Sequence, residues 1–405
     1  MAAAPLASPV VFDRPIVIAH RGASGYLPEH TLEAYRLAIA QGADFIEPDL
    51  VPTRDGVLIA RHENELSKST DVAAHPEFAA RNTTKRVDGV AVTGWFSEDF
   101  TLAEIKRLRA REAKPTVRPH NTRFDDAFEI PTLAEVIALV QRDSARTGRP
   151  IGLYPETKHP TYFLHEGHHL DGALIAADPS RLLIDGLQSS GFTDPARVFI
   201  QSFEIANLIA LKREIMPAAG LDFPLVQLFG DIARNYPAAQ SNFSAPYDVG
   251  FHARRGDDLG AIYGALDAAV PGGLSADTHY GDLLGAAVLK QMRRQYATGI
   301  GPWIASLLQA TPLATPIDGD GDGRPGIVAQ IAAAPHPFLR RALDASLTVH
   351  PYTLRVEESF LFLDADGRPQ SVQQLGRLLL ELGVHGWFID QPDLGVGIRD
   401  AFMAE

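Results

Sequence analysis

The chain of 405 residues contains no cysteine, so it has no disulfides, no thiolate zinc site and no cysteine nucleophile. It also has no excess of basic residues. Its 37 Lys and Arg face 50 Asp and Glu, which leaves a formal net charge of −13. This balance argues against the basic surface that nucleic acid or an anionic membrane requires, so we expect neither as a partner. No run approaches the roughly 18 consecutive apolar residues of a membrane span.

The first residues, MAAAPLASP, have no positively charged n-region and no apolar core. They therefore do not form an intact signal peptide. Two interpretations stay open: a cytoplasmic chain, or a mature exported protein in which an initiator Met replaces the signal. The lack of cysteine fits both. The 45% hydrophobic and 21% charged residues are typical of a folded globular chain.

Short, apolar, β-branched runs alternate with amphipathic helical patterns along the chain. Residues 15–19 predict a buried strand, residues 31–42 a helix with Thr31 as its N-cap, and residues 44–51 a second strand, which together make a βαβ unit. The further predicted elements are strands at 57–60, 151–154, 198–201, 225–229, 299–303, 347–350 and 386–389 and helices at 133–142 and 371–382. About eight strands separated by helices predict an α/β fold, the (β/α)₈ TIM barrel.

The length exceeds the about 250 residues that are typical of such a barrel. The additional residues fall in two regions, a polar one at 65–130 and one rich in Gly, Ala and Pro at 231–340. We therefore expect one barrel domain over residues 15–400, with a small inserted lobe at residues 65–130.

Polar residues follow several predicted strands, at the end of the barrel where parallel strands place an active site. Glu47 and Asp49 are two residues apart on one strand, so their side chains share a face. Buried carboxylates this close do not both stay ionised without a compensating cation. Glu156, after another strand, offers a third carboxylate. Three carboxylates without thiolates suit a hard divalent ion, Ca²⁺ or Mg²⁺.

Positive and titratable side chains accompany these carboxylates. Arg21 and Lys158 bring charge that suits a phosphate group. His20 and His62 are candidates for an acid/base pair that moves protons on and off phosphoester oxygens. Each feature alone is more often a turn or a surface ion pair, but their joint position at strand ends favours a site. The combination predicts metal-assisted phosphodiester cleavage.

Longer motifs resemble those of the glycerophosphodiester phosphodiesterases. They are HRGASGYLPEHTL at 20–32, EPDLV at 47–51, DGVL at 55–58, YPETKHP at 154–160, QSF at 201–203, HPYTLR at 350–355 and GWFID at 386–390. The resemblance covers about residues 15–395. It is greatest to the larger, exported bacterial branch, because residues 65–130 resemble the helical insertion of that branch. A periplasmic or secreted location is implied by this resemblance.

The resemblance also implies the reaction, in which small glycerophosphodiesters are hydrolysed to glycerol 3-phosphate and an alcohol. The glycerol hydroxyl would attack first and give a cyclic phosphate, with His20 and His62 as the catalytic acid/base pair. Arg21 and Lys158 would bind the phosphate, and Trp387 would contact the glycerol moiety. The divalent metal, Ca²⁺ or Mg²⁺, would be held by Glu47, Asp49 and Glu156.

One position departs from the family pattern. The family often has Asp after the second catalytic histidine, whereas Glu63 follows His62 in this sequence. The longer side chain leaves the role of His62 in place but puts the geometry around it in question.

Two alternatives to this function stay open. HEGHH at residues 165–169 matches the H-E-x-x-H pattern of zinc peptidases through His165 and His169. That pattern needs a helix, and Gly167 and Pro160 favour a polar loop instead. The second alternative is a barrel that binds a phosphorylated ligand without turnover.

A separate acidic loop, DGDGDG at residues 318–323, resembles the start of a calcium loop. Its twelfth position is Ala329 rather than the glutamate that an EF-hand requires. A weak calcium site and a plain acidic turn both stay open for this loop.

Overall fold

The structure, a computed structural model, describes residues 12–234 and 243–405 and divides into two compact units. We call residues 18–202 and 210–223 the amino-terminal unit. Residues 12–17, 203–209, 224–234 and 243–405 form the carboxyl-terminal unit. The opening residues, on which the interpretation of a missing signal peptide rests, lie outside the described residues.

The strands are short, and most of those in the sheets of the two units are fully buried. In chain order they are β1 (Ile16–His20), β2 (Phe45–Glu47), β3 (Asp49–Pro52), β4 (Leu58–Ala60), β5 (Thr83–Val87), β6 (Val90–Gly94), β7 (Gly152–Leu153), β8 (Glu156–Thr157), β9 (Ile200–Ser202), β10 (Leu225–Phe229), β11 (Gly299–Pro302), β12 (Thr311–Ile317), β13 (Ile327–Gln330), β14 (Thr348–Val349) and β15 (Gly386–Ile389). Of these, β10 to β15 belong to the carboxyl-terminal unit.

The helices follow the strands in a mostly alternating order. They are α1 (Leu32–Ala40), α2 (Leu102–Ile105), α3 (Leu133–Thr147), α4 (Pro179–Ser189), α5 (Ile205–Ala210), α6 (Met216–Ala218), α7 (Tyr247–Arg255), α8 (Leu259–Tyr263), α9 (Ala265–Ala269), α10 (Ala286–Gln295), α11 (Ile304–Leu307), α12 (Phe338–Asp344), α13 (Val372–Glu381) and α14 (Pro392–Met403). Over the described ranges, none of them combines the length and the apolar character that crossing a bilayer would need.

The predicted single strand at residues 44–51 is in fact two strands, β2 and β3, and Pro48 separates them. Proline has no N–H to donate to a sheet ladder, so the strand breaks there. On one side of the break, β2 pairs in parallel with β1 and β7. On the other side, β3 pairs in parallel with β8. The break therefore lets one segment contribute to two sets of neighbours.

The predicted strand at residues 57–60 also has a different role from the one expected. It forms β4, which runs antiparallel to β3 as the second arm of a hairpin. The hairpin turn is closed by the N–H of Thr53, which donates to the carbonyl of Val57 at 2.9 Å. The parallel order resumes with β8 and β9, which pair in parallel with each other.

Residues 65–130 contain the antiparallel ribbon β5–β6, several 3-10 turns and the four-residue helix α2. The expected helical insertion is therefore mostly ribbon and turn. Its buried side chains, such as Phe78 and Phe100, belong to a cluster that includes Val51 of β3 and Ile59 of β4. This region thus shares its core with the sheet beside it. The boundaries 15–400 and 65–130 stay a prediction.

In the carboxyl-terminal unit, β10 pairs in parallel with β11, and β11 with β14. The ribbon β12–β13 is antiparallel, and β12 is mostly exposed. It accounts for part of the Gly-, Ala- and Pro-rich region that lengthens the chain. Helix α13 begins with a capping box in which Ser371 and Gln374 satisfy each other's backbone N–H groups.

The turn between β1 and α1 has an unusual backbone. Arg21 and Gly22 both have positive φ, 59° and 88°. A Cβ at residue 22 would lie 2.8 Å from the carbonyl carbon of Ala34 in α1, so only glycine fits there. The helix then starts at Thr31, whose side chain accepts the N–H of Ala34, as the sequence predicts.

We expect Gly22→Ala to destabilise the protein more than Gly56→Ala. Both glycines have positive φ, where alanine costs about 1–2 kcal/mol. A Cβ at residue 56 meets nothing within 4 Å, whereas one at residue 22 meets the backbone of α1. Crowding of this kind adds about 1–3 kcal/mol. Urea unfolding of the two variants measures the difference, and equal losses would contradict the close contact with Ala34.

Candidate active site

The strand pairings bring the predicted site residues side by side in the amino-terminal unit. In the pair β1–β2, His20 lies opposite Glu47. In the pair β3–β8, Asp49 lies opposite Glu156. Glu156 in turn lies opposite Gln201 of β9. Residues that are far apart in the sequence thus become neighbours across the sheet.

Glu47, Asp49 and Glu156 form a buried acidic cluster. One carboxylate oxygen from each lies within 4.8 Å of the others. Burial, together with repulsion by the other two carboxylates, raises the pKa of Glu47 well above its usual range. Burial also raises the pKa of Glu156 to about 7. Three ionised carboxylates so close together need added positive charge, and oxygen donors of this kind suit a hard divalent cation. The cluster can therefore hold one.

Two cations flank this cluster. Lys158 Nζ lies 2.9 Å from Glu156 Oε1, and Arg21 Nε lies 3.3 Å from Asp49 Oδ2. Burial acts to raise the pKa of Asp49, but Lys158 and other neighbours hold it well below its usual range. Arg21 Nη1 also donates to both carboxylate oxygens of Glu29, at 2.9 and 3.1 Å. The two predicted phosphate ligands therefore stand beside the predicted metal ligands.

Glu47 is held by donors on both of its oxygens. The backbone N–H of Arg21 donates to Oε2 at 2.8 Å, which the positive φ of that residue makes possible. The side-chain amide of Gln201 donates to Oε1 at 3.1 Å. The turn after β1 and the end of β9 thus fix the orientation of one carboxylate of the acidic cluster.

His62 presents one ring nitrogen to Lys158 and the other to the carboxylate of Glu63. Its Nε2 lies 3.4 Å from Lys158 Nζ, and its Nδ1 lies 2.8 Å from Glu63 Oε1. The lysine ammonium has only donors, so Nε2 accepts and Nδ1 carries the proton that is donated to Glu63. Burial, Arg21 and Lys158 lower the pKa of His62 below its usual value. The ring is therefore neutral, with the lone pair of Nε2 on the side of Lys158.

His20 ends β1 and is 8% exposed. The hydroxyl of Ser24 donates to its backbone carbonyl at 2.8 Å, which fixes the start of the turn. Its place opposite Glu47 puts it on the strand next to the acidic cluster. Its role as the second member of the acid/base pair stays a prediction.

The sequence interpretation assigned no role to His30, which the structure places beside the cluster. Its Nε2 lies 2.9 Å from Asp49 Oδ2, and its Nδ1 lies 2.7 Å from the hydroxyl of Tyr35. The ring is fully buried. Like Glu29, it lies in the quoted motif at residues 20–32, but it follows no strand and so gave no signal of its own. Both residues orient the charged groups around Asp49.

Trp387 lies in β15 of the carboxyl-terminal unit, and its side chain is fully buried. Its contact with a glycerol moiety stays a prediction.

The H-E-x-x-H match is not on one helix. The helical turn Tyr162–Glu166 ends before Gly167, whose backbone is extended. His169 lies beyond it, and its Nδ1 donates to the carbonyl of Glu98 at 2.7 Å. Among the described residues, the groupings able to hold a metal include neither His165 nor His169. The geometry that a zinc peptidase needs is therefore not present in this segment.

The acidic loop at residues 318–323 is stabilised by its own backbone. Both carboxylate oxygens of Asp318 accept N–H groups, from Gly321 at 2.7 Å and from Gly323 at 2.8 Å. Asp318, Asp320 and Glu358 approach one another closely enough to share an ion, and exposed acidic groups commonly do so without one. Both interpretations of this loop stay open.

The chain is similar to known proteins of one enzyme family. The sequence model of the glycerophosphoryl diester phosphodiesterase family matches residues 20–249. A glycerophosphodiester phosphodiesterase of Haemophilus influenzae is 30% identical over 391 residues, which cover 94% of this chain and 88% of that protein. One of Arabidopsis thaliana is 29% identical over 394 residues, which cover 94% of this chain and 85% of that protein.

Solved structures bear on the fold. A crystal structure from Silicibacter pomeroyi, described as a glycerophosphoryl diester phosphodiesterase, matches with a TM-score of 0.52 at 19% identity. The match covers 96% of this chain and 95% of that one. Together with the parallel pairings, it confirms the predicted (β/α)₈ TIM barrel. The chain is therefore an enzyme that belongs to the glycerophosphoryl diester phosphodiesterase family.

Proposed function

We propose that the protein hydrolyses small glycerophosphodiesters to glycerol 3-phosphate and an alcohol, with a divalent metal ion, Ca²⁺ or Mg²⁺. The observation that carries this proposal is the buried acidic cluster of Glu47, Asp49 and Glu156 with Lys158 beside it. The named activity of the Haemophilus influenzae and Arabidopsis thaliana relatives supports the substrate class. The periplasmic or secreted location implied by the sequence resemblance is part of the same proposal.

The donor set of the acidic cluster fits a hard divalent ion. All three side chains offer carboxylate oxygens, and burial, with repulsion by neighbouring carboxylates, raises the pKa values of Glu47 and Glu156. Bound there, such an ion would offset the charge of phosphoryl oxygens and make the phosphorus more electrophilic. Lys158 and Arg21 would add positive charge beside the phosphoryl oxygens. The guanidinium of Arg21 is held in place by its ion pair with Glu29.

His20 and His62 carry the proton transfers in this proposal. In the first step, one imidazole takes the proton of the glycerol hydroxyl as its oxygen bonds to phosphorus. The bond from phosphorus to the leaving oxygen breaks, and the other imidazole protonates that oxygen, which releases the alcohol and leaves a cyclic phosphate. Water then opens the ring with the roles of the imidazoles reversed. The lone pair of His62 Nε2 is on the side of Lys158, where it is able to accept a proton.

The test is release of glycerol 3-phosphate from glycerophosphocholine and a panel of other headgroups, with Ca²⁺, Mg²⁺ or excess EDTA. We expect EDTA to abolish release and a hard cation to restore it. Release that persists in excess chelator would contradict the metal dependence. Zinc-dependent cleavage of a peptide would favour the peptidase alternative, and binding without release from any headgroup would favour the non-catalytic barrel.

We expect His20→Ala and His62→Ala each to lower kcat by about 10²–10⁴-fold, the usual contribution of general acid/base catalysis. Steady-state turnover measures this, and circular dichroism with thermal unfolding checks the fold. His168→Ala is the control, since His168 is exposed and its Nδ1 lies 2.8 Å from the carbonyl of Glu166. A variant at His20 or His62 with near-normal kcat would remove that residue from the acid/base pair.

We expect the double variant Glu47→Gln, Asp49→Asn to lose divalent-cation binding, because amides supply neither the charge nor the second oxygen of a carboxylate. Isothermal titration with Ca²⁺ and with Mg²⁺ measures the loss. The matched control is Asp318→Asn, Asp320→Asn, which makes the same chemical change in the acidic loop and leaves the metal dependence of turnover unchanged. Cation binding that survives when both pairs are replaced in one chain would contradict the assignment of the metal ligands.

A further inference from the structure

Glu63 stands between two imidazoles in the amino-terminal unit. Its Oε1 lies 2.8 Å from His62 Nδ1, and its Oε2 lies 3.4 Å from His159 Nε2. Both are ion-pair contacts, and the ring nitrogen of His62 that faces Glu63 is the one that carries its proton. A single carboxylate therefore joins the proposed catalytic histidine to a second histidine that the sequence interpretation did not single out.

His159 is itself anchored on its other side. Its Nδ1 lies 2.6 Å from Asp88 Oδ2. Asp88 occupies the turn between β5 and β6, so it belongs to the region at 65–130 rather than to the sheet that carries the acidic cluster. The contacts form a continuous series from this turn to Lys158, in the order Asp88, His159, Glu63, His62 and Lys158.

The backbone is left-handed at both Asp88 and His159, and Asp88 takes this conformation in the two-residue Asp-Gly turn between β5 and β6. His159 has φ of 48° and Asp88 has φ of 44°. Left-handed backbone at residues other than glycine costs energy and persists where the surroundings hold it. The side chains of His159 and Asp88 contact each other at 2.6 Å, and both are largely buried, at 12% and 14% exposed.

Asp88, His159 and Glu63 carry charges of alternating sign. Burial acts to lower the pKa of His159, but Asp88 and Glu63 raise it to about 10, so its ring is a cation at neutral pH. It donates toward Asp88 from Nδ1 and faces Glu63 with Nε2. Burial acts to raise the pKa of Glu63, but His62 and His159 hold it well below its usual range. Glu63 therefore stays ionised between the two rings.

We propose that His159 and Asp88 are positioning residues for His62, and that they act through Glu63. Asp88 fixes the ring of His159, and His159 holds one oxygen of Glu63. The other oxygen then keeps the proton of His62 on Nδ1 and leaves Nε2 as an acceptor on the side of Lys158. The reach of a glutamate matters here, because its two oxygens serve two imidazoles. This inference rests on the proposed function only in taking His62 as a proton acceptor.

The test compares His159→Asn with His159→Gln. Asparagine places its amide nitrogen near the position of Nδ1 and keeps the contact with Asp88, but it does not reach Glu63. Glutamine places its amide nitrogen near Nε2 and does reach it. We expect kcat in His159→Asn to fall about 10- to 100-fold, less than the full contribution of a general base, with KM unchanged. Partial recovery is expected in His159→Gln, and equal losses would contradict action through Glu63.

A double-mutant comparison tests the connection directly. Glu63→Gln alone is expected to lower kcat. Adding His159→Asn to Glu63→Gln is expected to change kcat by no more than about twofold further, because the ion pair between Glu63 and His159 is already lost in Glu63→Gln. Multiplied losses would show that His159 acts independently of Glu63 and would overturn the proposal.

Nitrogen-15 NMR of the His62 ring gives a readout that needs no turnover. The signals of the His62 ring are identified as those that are absent from the spectrum of His62→Ala. We expect Nδ1 to be protonated in the unmodified protein and a mixture of tautomers in His159→Asn. The matched control is His75→Asn. It removes the contact of 3.1 Å between His75 Nε2 and Asp71 Oδ2, a histidine–aspartate pair in the same region that does not include Glu63. It is expected to change neither kcat nor the tautomer.

The outcomes separate this inference from the proposed function. If the unmodified protein releases no glycerol 3-phosphate, the proposed function fails, and the tautomer comparison still decides whether His159 controls His62. If turnover is present but His159→Asn alters neither kcat nor the His62 tautomer, the positioning role is wrong while the proposed function stands.

Discussion

The burial of three carboxylates in one small volume is the constraint on which the rest of this site depends. Glu47, Asp49 and Glu156 are almost entirely removed from water and lie close enough to share an ion. Charges brought together in this way are tolerated only where cations or donors compensate them. Lys158 and Arg21 supply that compensation from the protein, and a divalent ion is the natural complement to it.

The constraint explains the unusual backbone around the site. Arg21, His30 and His159 all have positive φ, although none is glycine. In each case the conformation brings a polar group to a charged partner: Arg21 N–H to Glu47, His30 to Asp49, and His159 to Asp88. Strained backbone of this kind is typical of functional sites, where surrounding contacts hold it in place. The energy of the fold thus maintains the charge arrangement that the chemistry needs.

Much of the site could be predicted because carboxylate, imidazole and basic side chains each have a characteristic chemistry. Carboxylates two apart after apolar Phe45 and Ile46 indicate an inward-facing pair, and the structure brings Glu156 to them through the pairing of β3 with β8. The break at Pro48 and the antiparallel arm β4 could not be predicted with the same ease. The segments on either side of Pro48 and the segment that forms β4 are all short apolar runs in the sequence. Periodicity alone does not show which neighbouring strand such a run pairs with.

The sequence alone indicates the fold class and offers the three carboxylates, the two cations and His62 as candidate site residues, because these depend on residue type and local spacing. Only the tertiary structure placed Nδ1 of His62 beside Glu63 and Nε2 beside Lys158, and brought Glu63 between His62 and His159. It also showed that Asp88, some 70 residues from His159 along the chain, belongs to the same series of contacts. Such contacts join segments that are distant in sequence, and no local pattern records the distance between them.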